Sequence, residues 1–313
     1  MDNIAVLFPG QGAQYIGMGK DFYDNFPGAR EVFQKGDETL NMPISKLIFE
    51  GSEEDLVKTE ITQPAVLLTS IAIFEVLKEK GLFPKAVAGL SLGEYSALVA
   101  AEALSLEDAL PLVQKRGRYM QEAVSSKKGA MAALMGMKRD LVESICREAS
   151  DYGLVQPANY NCPGQIVISG EKKAVSRAME LARENGAQKI IELNVSAPFH
   201  CKLMEPVQEK LSRELEKVNI REAKVPLVTN VSAQYISKPK QIEESLVKQV
   251  SSAVKWEDSI NKMINNGLEV FIEVGPGRVL TGFMKKISRE VLPYSIGSLD
   301  SLHKLEEKLG KED

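Results

Sequence analysis

Histidine is nearly absent from this chain, with only His200 and His303 in 313 residues. Cysteine is scarce as well: Cys146, Cys162 and Cys201 are odd in number and form no CxxC pair, which excludes a disulfide framework and a thioredoxin-like motif and leaves three reduced thiols. Two distant histidines and no cysteine cluster give zinc no ordinary ligand set, so no metal is expected. Basic residues are not in excess. The 39 Lys and Arg against 43 Asp and Glu give a formal charge of -4, and no segment interleaves basic with aromatic side chains as a nucleic-acid groove does. Long apolar runs are missing too, because the most apolar stretch, Ala65 to Leu77, is broken by Thr69, Ser70 and Glu75, short of the ~18 apolar residues of a membrane span. Met1-Asp2-Asn3 carries an acid where a signal peptide has its basic region, and the following apolar run ends at Pro9. A cytoplasmic protein without a membrane or nucleic-acid partner is expected. No Pro/Ser-rich linker, fixed-period repeat or low-complexity segment occurs. What is present is 44% hydrophobic and 26% charged residues, the balance of a globular chain with a sizeable core.

Apolar Ile4 to Phe8, closed by Pro9-Gly10-Gln11-Gly12, reads as a buried strand ending in a glycine-rich turn. Ala65 to Lys80 reads as a helix, Lys85 to Gly89 as a short buried strand, and Leu92 to about Ala101 as a helix. Ser105 with Asp108 forms a capping box for a further helix to about Val124, in which Pro111 introduces a kink. Strands alternating with helices indicate an α/β fold. From about Lys127 the pattern changes to strand (Ala130 to Met135), helix (Arg139 to Ser150), strand (Leu154 to Asn159), strand (Gln165 to Ser169), helix (Lys172 to Asn185) and strand (Lys189 to Val195). That is the β-α-β-β-α-β order of a ferredoxin-like unit. A helix from about Leu203 to Val218, a strand at Val225 to Thr229, a helix near Trp256 to Asn266 and a strand at Glu269 to Val274 then resume the first pattern, and charged His303 to Asp313 reads as a frayed helix. The expected organisation is a discontinuous large subdomain, residues 1–126 and 197–313, with a ferredoxin-like subdomain, residues 127–196, inserted into it.

Gly89-Leu90-Ser91-Leu92-Gly93 matches G-x-S-x-G between a short apolar strand and a helix, where a sharp turn exposes the serine hydroxyl. A glycine-rich turn with a helix-capping serine is the plainer interpretation of the same residues. A serine nucleophile needs a base, normally histidine. His303 lies in a charged terminal segment and reads as a solvated surface residue, whereas His200 follows Ser196-Ala197-Pro198-Phe199, a loop leaving the last strand of the inserted unit. His200 is therefore the candidate base. No sequence feature marks an Asp or Glu that orients it. The backbone N–H of Leu92, just after the nucleophile, is a candidate oxyanion donor, and the turn holding Gln11 is a candidate source of the second. Spacing alone does not separate Arg116 from Lys115 or Arg118 on their helix. Met120, one turn on from Arg116, reads either as core or as pocket lining. Gly275-Pro276-Gly277 lacks the Lys and Ser/Thr of a phosphate loop and reads as a structural turn.

Phe8-Pro9-Gly10-Gln11-Gly12, the Gly89 to Glu94 elbow, Arg116 and Pro198-Phe199-His200 occur in the order seen in malonyl-CoA:acyl carrier protein transacylases, a family the chain resembles over essentially its whole length. The resemblance extends to Thr62-Gln63-Pro64-Ala65, Asn159 with Asn161, Gln249 with Trp256, and Glu273-Val274-Gly275-Pro276-Gly277. It implies an α/β-hydrolase-like large subdomain and transfer of a malonyl group from malonyl-CoA to the phosphopantetheine thiol of acyl carrier protein, for fatty acid synthesis. It also implies Ser91 as nucleophile, His200 as base oriented by the backbone carbonyl at Gln249, and Gln11 and Leu92 N–H groups as the oxyanion hole. Arg116 would pair with the free malonyl carboxylate, and Met120, Phe199 and Asn159 would line the substrate site, Phe199 crowding out a methyl branch. No cofactor is expected, coenzyme A being part of the substrate, and a monomer is expected. Leu90 stands where the family usually has His, and Ala253 where it usually has Pro. Two other activities use the same residues: a thioesterase or esterase in which water replaces the thiol, and a catalytically silent module that docks the carrier protein.

Overall fold

The computed structural model describes residues 3–123, 128–195 and 197–309. Its ten strands are β1 (Ile4–Phe8), β2 (Ala86–Gly89), β3 (Gly129–Met135), β4 (Val155–Cys162), β5 (Gln165–Glu171), β6 (Lys189–Glu192), β7 (Leu227–Val228), β8 (Tyr235–Ile236), β9 (Val270–Val274) and β10 (Leu292–Ile296). They form a six-stranded sheet in the order β10-β9-β1-β2-β7-β8 and a four-stranded sheet in the order β4-β5-β3-β6. In the larger sheet every pairing is parallel except the short hairpin β7-β8.

β1 is buried along its whole length because helices cover both faces of the sheet. Ile4, Val6 and Phe8 point into one apolar cluster, with Leu68, Phe74 and Ile272, while Ala5 and Leu7 point into another, with Trp256, Phe271 and Met284. The second sheet is antiparallel throughout. Renumbered within its own unit, its strand order is 4-1-3-2, that of a ferredoxin-like fold. Alternation along β3 divides its labour: Ala130, Ala132 and Leu134 pack under the helices Arg139–Ala149 and Lys172–Glu184, whereas Met131 and Ala133 face the larger unit. The chain positions expected to separate the two units, near 126 and 196, border or fall on residues outside those described.

Several elements differ from the sequence-based expectation. The helix expected from Ala65 runs from Thr59 to Glu79 through Pro64. Its start is held by a long-range partner, because Gln121 Oε1 accepts the Thr59 N–H at 3.2 Å. This helix is long and apolar enough to cross a membrane, but it is buried as the core helix of the main unit. The capping box is present, with Ser105 Oγ accepting from Asp108 N at 3.0 Å, and the helix Leu106–Ala123 continues through Pro111. β4 extends three residues beyond the expected end, with register shifts around Asn159. Adjacent to that shift, Val254 N donates to Ala158 O at 2.8 Å and Tyr160 N to Val254 O at 2.9 Å, stitching the small sheet to the main unit. β6 stops at Glu192, Leu193 N–H still donates to Met131 O of β3 at 2.9 Å, and Asn194 and Val195 leave the sheet. The helices Lys20–Asn25, Pro27–Leu40, Ile44–Glu50, Glu53–Leu56, Pro239–Gln249 and Val279–Ile287, and β8 and β10, have no counterpart in the sequence reading. The terminal helix spans Leu299–Leu309. All three cysteines are buried and free.

Candidate active site

β2 ends at Gly89, and the helix Gly93–Ala100 begins four residues later. The reversal places Ser91 at φ 54°, in the left-handed region that non-glycine residues rarely occupy. The turn fits only glycine at its flanks. A Cβ on Gly89 would overlap the carbonyl of Gly93, and one on Gly93 the carbonyl of Phe8 at the end of β1. The strain is held by Asn230, whose Oδ1 accepts the Ser91 N–H at 2.6 Å while its Nδ2 donates to Gly89 O at 2.7 Å. Asn230, fully buried just after β7, thus pins both sides of the elbow from a neighbouring strand end.

Ser91 Oγ lies 2.7 Å from His200 Nε2, and His200 Nδ1 lies 3.0 Å from the backbone carbonyl of Gln249. A carbonyl only accepts, so Nδ1 carries the proton and Nε2 is left to accept from the serine hydroxyl. Burial and the nearby Arg116 charge push the His200 pKa down to about 4, so the imidazole is neutral near pH 7.

Arg116 is 1% exposed. Its Nη1 donates to Gln63 Oε1 at 2.8 Å, and its Nη2 donates to Gln249 Oε1 at 3.0 Å and to Ser91 Oγ at 3.2 Å. Among the described residues it forms no ion pair with a carboxylate. Burial lowers its pKa, yet a guanidinium remains charged at any physiological pH. Glu94, one helical turn after the elbow begins and fully buried, accepts from Asn230 N at 3.0 Å and from Gln249 Nε2 at 2.9 Å, and burial pushes its pKa up to about 7.

Ser91, His200 and Arg116 open onto a cavity of about 420 Å3 between the two sheets. Gln11, Ser91, Leu92, Arg116, Met120, Asn159, Phe199 and His200 all line it, with Leu193 to Val195 closing one side where β6 ends early. Among the described residues, Arg116 is the only Lys, Arg, Asp or Glu in that lining. The turn after β1 approaches the elbow closely, since a Cβ on Gly10 would overlap the carbonyl of Leu90. Among the described residues, neither Gln11 N–H nor Leu92 N–H donates to a protein acceptor. Leu90 also lines the cavity, where a histidine was the family expectation. Gln249 itself sits behind the wall, contributing its carbonyl and amide. Among the described residues no cluster of His, Cys, Asp and Glu is suited to a metal.

A family model described as acyl transferase domain matches residues 6–304. Malonyl CoA-acyl carrier protein transacylase of Bacillus subtilis (strain 168) is 49% identical, the match covering 100% of this chain and 99% of that protein. The chain belongs to the malonyl CoA-acyl carrier protein transacylases of the acyl transferase family. A Staphylococcus aureus (strain MRSA252) member is 43% identical over 96% of this chain and 98% of its own. The solved Clostridium perfringens transacylase superposes with a TM-score of 0.96 at 44% identity, covering 99% of this chain and 98% of that one. A malonyl-transacylase solved in complex with a type II PKS acyl-carrier protein gives 0.95 at 38% identity, covering 98% and 100%.

Within this transacylase framework Ser91, His200, Arg116 and Gln249 converge as the sequence reading expected. Three participants were not singled out there. Asn230 carries no motif, Glu94 stands in the sequence only as the end of the elbow, and Gln63 only within Thr62-Gln63-Pro64-Ala65.

Proposed function

We propose that the chain transfers a malonyl group from malonyl-CoA to the phosphopantetheine thiol of an acyl carrier protein through a malonyl-Ser91 intermediate, acting as a monomer and without a cofactor. The observation that carries this reading is the position of Arg116, among the described residues the one Lys, Arg, Asp or Glu in the cavity lining, with Nη2 3.2 Å from Ser91 Oγ. In a malonyl thioester the carboxylate lies two carbon–carbon bonds from the reacting carbonyl, so an acyl group seated on Ser91 brings its free carboxylate to the guanidinium. Arginine suits that task because its planar fork binds a carboxylate by two parallel hydrogen bonds.

In the first half-reaction Ser91 Oγ attacks the thioester carbonyl as its proton passes to His200 Nε2. Negative charge develops on the carbonyl oxygen, and the free N–H groups of Gln11 and Leu92 act as its donors. The intermediate collapses with cleavage of the C–S bond, and the proton on Nε2 goes to the departing sulfur of coenzyme A. The carrier thiol then attacks the ester, giving its proton to Nε2, and Ser91 Oγ recovers that proton as it leaves. Both half-reactions thus use one base and one set of donors. The Gln249 carbonyl fixes the imidazole tautomer throughout. Phe199, Met120 and Asn159 shape the acyl and thioester portion of the cavity.

Incubation with malonyl-CoA, acid quench and peptide mass spectrometry tests this directly. A malonyl adduct on Ser91 that carrier protein removes is the expected result. Release of coenzyme A and malonate without an adduct or carrier loading would instead make the protein a hydrolase.

A further inference from the structure

The sequence shows no carboxylate partner for His200, and the structure places a carbonyl there instead. One buried carboxylate stands a residue away and takes no part in the chemistry above. Glu94 is fully buried, and among the described residues it forms no ion pair. Its acceptors are filled by Asn230 N at 3.0 Å, Gln249 Nε2 at 2.9 Å and Ser245 Oγ at 3.5 Å. Burying an acid so completely beside an active centre is costly, since its charged form loses its hydration.

The geometry points to Glu94 as a positioning residue for acyl transfer: it fixes the orientation of the Gln249 amide, and through it both the base and the carboxylate-binding arginine. Among the described residues, Gln249 is the only one that touches all three principals. Its backbone carbonyl accepts from His200 Nδ1, its Oε1 accepts from Arg116 Nη2 at 3.0 Å, and its Nε2 donates to the Ser91 carbonyl at 3.0 Å. A primary amide has two orientations that differ by a half-turn and are nearly equal in shape. A half-turn here would set an NH2 group against the Arg116 guanidinium and an oxygen against the Ser91 carbonyl, donor on donor and acceptor on acceptor. The Ser91 carbonyl and the guanidinium already favour the observed orientation. Glu94 adds a strong acceptor on the same side as the Ser91 carbonyl, so the NH2 group is gripped at both hydrogens. The remaining oxygen is then committed to Arg116, and the guanidinium is turned toward Ser91 Oγ. Asn230 ties the same carboxylate to the elbow, since its backbone N–H donates to Glu94 while its side chain holds Ser91 and Gly89. Nucleophile, base and arginine are thereby referred to one buried acceptor.

This inference rests on the transfer reaction proposed above, and wild-type loading by malonyl-CoA is the control that separates the two. If wild-type protein forms no malonyl adduct, the reaction is misassigned; if it does, the variants decide the role of Glu94. Glu94→Leu keeps the approximate volume but removes the acceptor, and Glu94→Gln keeps an acceptor oxygen without the charge. Single-turnover loading with malonyl-CoA and with acetyl-CoA should show Glu94→Leu slowed about ten- to hundredfold with malonyl-CoA, the equivalent of one charge-assisted hydrogen bond. The malonyl-to-acetyl preference should shrink with it, because Arg116 is no longer held, and Glu94→Gln should recover most of both. A merely structural role would lower the melting temperature without moving the acyl preference. In a Gln249→Met background, which keeps the backbone carbonyl and deletes the amide, either Glu94 substitution should cost less than twofold further. If Glu94→Leu fails to fold, Glu94→Met, which keeps the unbranched stem and also removes the acceptor, takes its place in the cycle. Additive losses in the cycle, or an unchanged acyl preference in a folded Glu94→Leu protein, would overturn the assignment.

Discussion

Ser91 and His200, joined by a 2.7 Å contact between Oγ and Nε2, both hold left-handed backbone conformations, at φ 54° and φ 58°. Each is a non-glycine residue kept in a sparsely populated region by surrounding bonds: Asn230 on the serine, the Gln249 carbonyl on the histidine ring. The distance between the serine hydroxyl and the imidazole is therefore set by two strained turns on separate parts of the chain.

The acidic limb of Ser91 loading should report His200. The imidazole must be neutral to take the serine proton, and its pKa is pushed down to about 4 by burial and then by Arg116. Rates should therefore hold as pH falls through 6.5, the ordinary histidine value, and decline only near pH 4. A profile of kcat/KM against pH checks this, provided folding is monitored at each pH. Because Glu94 is itself pushed up to about 7, a decline centred near 6.5 that persists in Glu94→Gln would place the base in a far more solvated setting.

Arg116→Ala should reverse the acyl preference. A buried charge that loses its partner costs about 3–5 kcal/mol, so malonyl loading should fall by roughly a hundredfold or more while acetyl loading falls far less. The same substitution removes a positive charge that disfavours imidazolium, so the acidic limb with acetyl-CoA should move upward in pH. Parallel loading rates with the two thioesters measure the first effect, and the pH profile the second.

Gly93→Ala should destabilise the protein by about 3 kcal/mol or more, because the added methyl meets the carbonyl of Phe8 in a sheet that has no slack to yield. Gly12→Ala offers the contrast. Its φ is 97°, but nothing lies within 4 Å of the added carbon, so only backbone strain of about 1 kcal/mol applies. Urea unfolding of the two variants should rank them in that order.

Asn230→Ala should impair stability and catalysis together. It leaves Gly89 O and Ser91 N–H without their partners at 2.7 and 2.6 Å, at about 1–3 kcal/mol for each unsatisfied buried group. Loading should slow even in the fraction that stays folded, as the elbow relaxes. Thermal melting paired with single-turnover loading separates the two losses, and intact kinetics in a destabilised protein would confine Asn230 to folding.

Some of this site is legible in the residues themselves. Ser91 announces itself through glycines that the turn requires, and His200 through the near absence of other histidines. Arg116 could be separated from Lys115 and Arg118 only by resemblance, because helical spacing says which residues share a face and not which face meets the nucleophile. Asn230 and Glu94 leave no local mark, since their partners lie more than a hundred positions away and a single hydrogen bond imposes no pattern on flanking residues. The fold divides similarly. β1, β2 and the ferredoxin-like order follow from apolar periodicity, whereas the first turn of Thr59–Glu79 depends on Gln121 from another helix. The early end of β6 is likewise tertiary, as the chain from Leu193 to Val195 turns to wall the cavity.

The three buried cysteines bear on the fate of the acyl group. An ester on Ser91 is open to any thiolate that reaches it, and Cys201 is the residue next to the base. Its Sγ is turned to the Pro198 carbonyl at 3.1 Å, and burial raises its pKa, as it does for Cys162 and for Cys146, which is pushed up to about 12. Burial thus holds each thiol toward its protonated form, and an acyl group carried by Ser91 would meet no activated thiol of the chain's own. Chemical selectivity for an incoming sulfhydryl is thus partly a matter of self-exclusion. Thiol-directed reagents should accordingly label the cysteines of the folded protein slowly, and faster once it is unfolded.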